Sequence, residues 1–228
     1  MTDTSPTTSN AGATRSADDA VPDLGPQARL MARIAAHVTD EQLAAPTPCP
    51  DYAVRQLLGH VLGLAGAFEE AARKEFGPAL DRNPALDRNP GSVLPDVGPG
   101  WREELPKALD GMAGAWRDPA AWQGMTRAGG IDLPGEVAGL VALDELVVHG
   151  WDLARATGQE YAPDEASLEG ARALLSPAAQ ADPAADSAAD PADGAGLFGT
   201  PVPVPVGAPL LDRVIGLSGR DPGWRPKG

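Results

Sequence analysis

VAGLVALDELVVHGWDLARATG, residues 137–158, decides the fold. The run is apolar almost all round, the pattern of a helix buried on every side rather than on one face. Glu145 and His149 interrupt it. They stand four apart, so on a helix they stack on one face, a turn from each other. At about 100° per residue the same face carries Ala138, Val141, Val148 and Asp152. A carboxylate and an imidazole are costly to desolvate unless something pairs with them. Two arrangements meet that cost: a mutual hydrogen bond or a shared metal ion.

Composition narrows the setting. The chain has 228 residues, 43% of them hydrophobic, enough for one domain with tails or two small ones. Trp 5, Phe 3 and Tyr 2 make up all the aromatic residues, and Ala-rich segments dominate, so the chain reads as all-α. A formal net charge of −14 argues against nucleic acid or an anionic membrane surface as partner. One cysteine, Cys49, excludes a disulfide framework and Cys-rich zinc sites. Residues 1–23 have no apolar core of the kind a signal peptide needs, and no window reaches the roughly 18 apolar residues of a membrane span. The expected location is the cytoplasm.

Around the central helix the chain divides as follows. Residues 1–23 form a polar tail expected to be disordered. The bundle is expected over 24–175. Its first helix starts near Gly25-Pro26 with Leu30, Ile34 and Val38 on one side, ending in Thr39-Asp40-Glu41. His37 near its C-terminal end reads as a surface residue suited to the helix dipole. Pro46, Pro48 and Pro50 make a stiff, non-helical connector. The second helix follows within DYAVRQLLGHVLGLAGAFEEAARKEF, with His60 at the flank of its apolar stripe. Residues 77–100 read as a mobile low-complexity loop holding a direct repeat, ALDRNP at 79–84 and 85–90. A third helix lies around 101–118, with Trp101, Leu105, Leu109, Met112 and Trp116 on one side. Residues 118–135 read as a plain connection. A short amphipathic helix over 163–175 precedes a low-complexity linker over 176–196. The extension over 197–228 is Pro-rich, extended through PVPVPV, and closes with one short helix. Long helices joined by long crossings suggest a bundle.

His60, Glu145 and His149 then supply two imidazoles and a carboxylate from two helices, and facing helices of a bundle can converge such groups on one ion. Three protein ligands leave an open position, as catalytic metal sites do. The set suits Zn²⁺ first, with Fe²⁺ or Ni²⁺ as alternatives. Taken alone, Glu-x-x-x-His is a common i, i+4 pair.

TPCPDYAVRQLLGHVLG (47–63), DELVVHGWDLARATGQ (144–159), FGTPVPVP (198–205) and GRDPGW (219–224) resemble an actinobacterial family of metal-binding proteins. That family is related to the mycothiol-dependent maleylpyruvate isomerase N-terminal domain, within the DinB-like superfamily. The resemblance implies an up-down-down-up four-helix bundle with a metal at one end. Its ligands would fall on His60, Glu145 and His149. It also implies a cytoplasmic transferase or isomerase that activates a low-molecular-weight thiol, with mycothiol the candidate, as a metal-bound thiolate acting on a small electrophile. Metal-dependent hydrolysis and a non-catalytic binding protein are the alternatives, and monomer and homodimer stay open. Two departures stand out. The family's Trp-Thr at the start of the second helix is Tyr52-Ala53, so the Thr cap is missing while Gln56 can still serve. The isomerase's second domain is replaced by a Pro-rich tail, so isomerisation of its particular substrate is not carried over. Cys49 reads as a structural small residue. Asp152 is either a partner that orients a ligand or the mate of Arg155. The cations available for a thiol's carboxylate are Arg55, Arg73, Arg102, Arg127 and Arg155.

Overall fold

The structure, a computed structural model, describes residues 21–75, 94–180 and 199–226, without the side chains of 177–180. The described residues contain six α-helices: α1 (Gly25–Ala36), α2 (Val54–Arg73), α3 (Trp101–Ala115), α4 (Gly135–Thr157), α5 (Glu165–Gln180) and α6 (Leu210–Leu217). The direct repeat, most of the N-terminal tail and most of the 176–196 stretch lie outside the described residues.

Contacts between helix ends fix the directions. The Trp116 indole at the end of α3 donates to the Phe68 carbonyl near the end of α2, so these two run parallel. Arg102 at the start of α3 donates to the Val38 carbonyl just beyond α1, so α1 and α3 are antiparallel. Gln27 near the start of α1 donates to the Leu146 carbonyl within α4, and Gln159 beyond α4 donates to the Ile34 carbonyl late in α1. Those two are parallel. Thr126, ahead of α4, donates to the Ala71 carbonyl at the end of α2, which sets α2 against α4. The result is the up-down-down-up four-helix bundle.

Local chemistry explains the boundaries. Pro26 opens α1, where a missing N–H costs nothing. At the start of α2, Gln56 Oε1 accepts from the Ala53 N–H at 3.1 Å, half of a capping box whose other half Ala53 cannot supply. Gly158 closes α4 at φ 71°, a left-handed conformation in which glycine carries no Cβ penalty. Helix α4 is buried on all sides, as its composition requires, with Ala138, Leu143, Val147, Trp151 and Ala154 almost fully enclosed.

Three expectations need correction. The 118–135 connection holds a β-hairpin, β1 (Met125–Ala128) paired antiparallel with β2 (Ile131–Pro134). Gly129 and Gly130, at φ 60° and 79°, form the tight turn that a two-residue hairpin loop demands. Helix α1 stops at Ala36, and a separate 3₁₀ turn over Asp40–Ala44 takes up the polar run expected to end it. Helix α5 runs to Gln180, beyond the boundary expected at 175. In the C-terminal extension, residues 201–205 are neither helix nor strand, Val206 lies in a turn, and Val202 N–H bonds the Gly216 carbonyl of α6 at 2.9 Å. Among the described residues no helix is long and apolar enough to cross a membrane.

Candidate metal centre

Helices α2 and α4 run antiparallel with their apolar faces in contact, and this pairing brings His60 opposite the Glu145–His149 turn. Both histidines are buried, and the Glu145 side chain retains 15% exposure. His149 Nε2 lies 2.9 Å from Glu145 Oε2, and His60 Nε2 lies 3.6 Å from the same oxygen. One ligand atom from each residue falls within 4.8 Å of the others. The two imidazoles meet edge to face at 4.9 Å, and the Tyr52 ring lies against His60 at 5.1 Å.

A second layer surrounds the cluster. Asp152, a turn beyond His149 and fully buried, places Oδ2 3.0 Å from His149 Nδ1. Of the two roles left open for Asp152, the structure shows the contact with His149 and no ion pair with Arg155. Arg155 packs over the Trp151 ring and donates to the Pro222 carbonyl. The cation on Asp152 is instead Arg220, whose guanidinium lies 3.3 Å from Oδ2. Arg220 belongs to the GRDPGW segment after α6, so the C-terminal extension reaches the heart of the site.

Other candidates stay outside. Arg55 pairs with Asp96, Arg102 with Asp40 and Arg127 with Asp132, all at exposed positions, and Arg73 pairs with Glu69 on its own helix. His37 is exposed and its Nδ1 meets the Arg33 carbonyl, as a surface residue would. Cys49 is a buried free thiol, pushed up to about 11 by burial, which leaves it protonated and inert at neutral pH.

The electrostatics show a site shaped to hold positive charge. Burial alone would push the His149 imidazole down. Hydrogen bonds to Asp152 and Glu145, with the charges of both, outweigh it and raise His149 to about 9. Burial likewise favours neutral Glu145, yet the bonds to His149 and His60 hold its carboxyl well below the usual range. Asp144 contrasts with both. It is buried beside Glu145, Oδ1 has no hydrogen-bond partner among the described residues, and desolvation raises it well above the carboxylate range.

These residues fit a divalent ion. Asp152 takes the Nδ1 side of His149 and leaves Nε2 turned towards Glu145 and His60, the histidine–carboxylate arrangement that commonly orients metal ligands. Two imidazoles and one carboxylate suit zinc, iron or nickel. Sequence reasoning missed Arg220, although the segment carrying it was singled out, because nothing local ties residue 220 to residue 152. It also passed over Asp144, whose place inside the apolar run was the available signal.

The family model of the mycothiol maleylpyruvate isomerase N-terminal domain matches residues 10–154, a span that contains His60, Glu145, His149 and Asp152 but not Arg220. Two uncharacterized proteins of Mycobacterium tuberculosis, from strains CDC 1551 / Oshkosh and ATCC 25618 / H37Rv, are each 30% identical to it over 150 residues, 64% of this chain and 74% of theirs. No solved structure matches significantly.

Proposed function

The chain belongs to the mycothiol maleylpyruvate isomerase N-terminal domain family, and we propose that it binds one divalent metal, Zn²⁺ first, through His60, Glu145 and His149. On this reading it is a cytoplasmic thiol-dependent transferase or isomerase, and the thiol, of mycothiol type, reacts with a small electrophile. The observation that carries the reading is the convergence of three ligand atoms within 4.8 Å, one of them on a histidine already held by a buried aspartate. When bound, the ion would stabilise a thiolate at neutral pH.

The chain's own residues have distinct tasks. Glu145 contributes charge and both histidines contribute neutral nitrogen donors. Asp152 accepts from His149 Nδ1–H and so keeps Nε2 free to ligate. Arg220 pairs with Asp152 Oδ2 and so holds that carboxylate in place beneath His149. The apolar faces of α2 and α4 exclude bulk water, which strengthens each of these interactions.

A specific observation favours a second reading, a non-catalytic metal-binding bundle. The pocket beside Glu145 is lined almost wholly by apolar side chains and has room for about one water molecule. Metal analysis of the wild type beside His60→Ala and His149→Ala, followed by calorimetric titration with mycothiol, separates the readings. About one metal per chain, lost in both variants, with metal-dependent thiol binding, supports the transferase or isomerase. Metal without thiol binding supports the second reading. A folded wild type that takes up no metal refutes both.

A further inference from the structure

The two histidines of the cluster are held in different ways. His149 has a buried carboxylate 3.0 Å from Nδ1, which fixes the plane of its ring. His60 lies between rings. The Tyr52 ring packs 5.1 Å from it with the planes tilted by 39°, and the His149 ring meets it edge-on at 4.9 Å. An imidazole that turns about its Cβ–Cγ bond sweeps the space beside both faces, so a ring packed there restricts the turn. His60 Nε2 thereby stays on the Glu145 side, 3.6 Å from Oε2.

Tyr52 is delivered to this position by the Pro-rich connector, a motif that the metal chemistry itself leaves unexplained. Pro46, Pro48 and Pro50 limit the conformations the unfolded segment can adopt, so fixing it costs less. Buried Thr47 closes the loop: its hydroxyl donates towards the Tyr52 and Cys49 carbonyls, at 2.7 and 3.0 Å. Tyr52 N–H donates to the Cys49 carbonyl at 3.2 Å. At the base of the loop Pro46 bridges Ala53, and Val54 N–H bonds the Ala45 carbonyl at 3.0 Å. The backbone that carries the Tyr52 ring is therefore pinned on both sides.

We propose that residues 45–53 form an orienting device for the metal centre, in which Tyr52 is the positioning residue that sets the plane of the His60 imidazole. The inference rests on the reading of His60, Glu145 and His149 as metal donors. It gives ring packing at His60 the task that Asp152 performs at His149. What counts at residue 52 is a flat ring, not the phenolic hydroxyl. Thr47 acts one step further out, through Tyr52.

Co²⁺ titration of the full chain is the first test. Tyr52→Phe should bind Co²⁺ as tightly as wild type, with the same visible absorption. Tyr52→Leu, which keeps apolar bulk without a ring, should bind about tenfold more weakly, as loss of an outer partner of a metal ligand does. Its cobalt absorption should also shift as the geometry at His60 relaxes. Thr47→Val, which removes the closing hydroxyl, should weaken binding in the same direction and add little to Tyr52→Leu in the double variant. Urea unfolding in parallel separates these effects from plain loss of stability. The second test uses metal-free protein: NMR relaxation of the ring C–H groups should show His60 as restrained as His149 in wild type and Tyr52→Phe. In Tyr52→Leu the His60 ring alone should become mobile. Wild-type Co²⁺ affinity and absorption in Tyr52→Leu, or a His60 ring equally restrained in it, overturns the proposal; should that variant not fold, the same results in Thr47→Val overturn it. A freed His60 ring in a chain whose wild type takes up no Co²⁺ sinks the metal reading and leaves the positioning of His60 by Tyr52 standing.

Discussion

Replacing Asp152 with Asn tests the charge logic of the site without removing its geometry. The Asn carbonyl can still accept from His149 Nδ1–H, so the orientation of the ring survives while the negative charge beneath it goes. In metal-free wild type the folded state holds the His149 proton up to about 9, against an ordinary value of 6.5. At about 1.4 kcal/mol per pH unit, that gap is worth roughly 3 kcal/mol. The folded state binds the proton more tightly, so this stability is fully present below 6.5 and declines as pH rises towards 9. Between about pH 6 and about pH 8.5 the metal-free wild type should lose roughly 2 kcal/mol through this linkage. The hydrogen bond to the ionised Asp152 carboxylate is the largest of the effects that raise His149, and it weakens when a neutral amide oxygen takes its place, so in Asp152→Asn the loss should shrink to roughly 1 kcal/mol. Urea unfolding of both chelator-treated proteins across this range is the assay. The window stops short of Cys49, whose raised thiol at about 11 would add a similar decline at higher pH. Glu145, held low, stays ionised throughout it, while buried Asp144, raised well above the carboxylate range, adds a decline of the same sign in both proteins, so the difference between their slopes carries the test. The variant should be less stable at every pH, because Arg220 loses its buried counter-charge; the slope is the diagnostic. Parallel curves for the two proteins would show that Asp152 does not raise His149, and the account of the site would fail.

Arg220→Ala should cost roughly 3 kcal/mol in stability by stranding Asp152, and should weaken metal binding about tenfold or more; competition with a chromophoric chelator reads the second, and unchanged affinity would detach the C-terminal segment from the site. Ala53→Thr should restore the missing cap of α2 and stabilise the fold by about 1 kcal/mol, measured by urea unfolding, with metal content unchanged. Gly139→Ala should destabilise by roughly 1–3 kcal/mol, since an added methyl would overlap both the Trp122 and Trp116 rings; a thermal midpoint equal to wild type would refute that packing.

Much of this molecule was legible in one dimension. The run over 137–158, apolar almost all round, reads as a buried helix, and the spacing of Glu145 and His149 placed both on one of its faces. Gly25-Pro26 and Gly158 marked helix ends through backbone preferences that need no tertiary context. His60 was identifiable as a partner through the motif around it. The hairpin at 125–134 was missed despite the Gly-Gly pair at its turn, because four-residue strands carry too short an alternation to stand out from a connection. Tertiary structure alone decided the rest. By sequence distance the eligible cation for Asp152 was Arg155, yet Asp152 faces Arg220, 68 positions away, because the C-terminal segment folds back over α4. The pocket beside Glu145 likewise exists only where three helices leave a gap. Local periodicity determines which residues share a face. Which faces then meet, and what space remains between them, depends on packing between segments that no local pattern records.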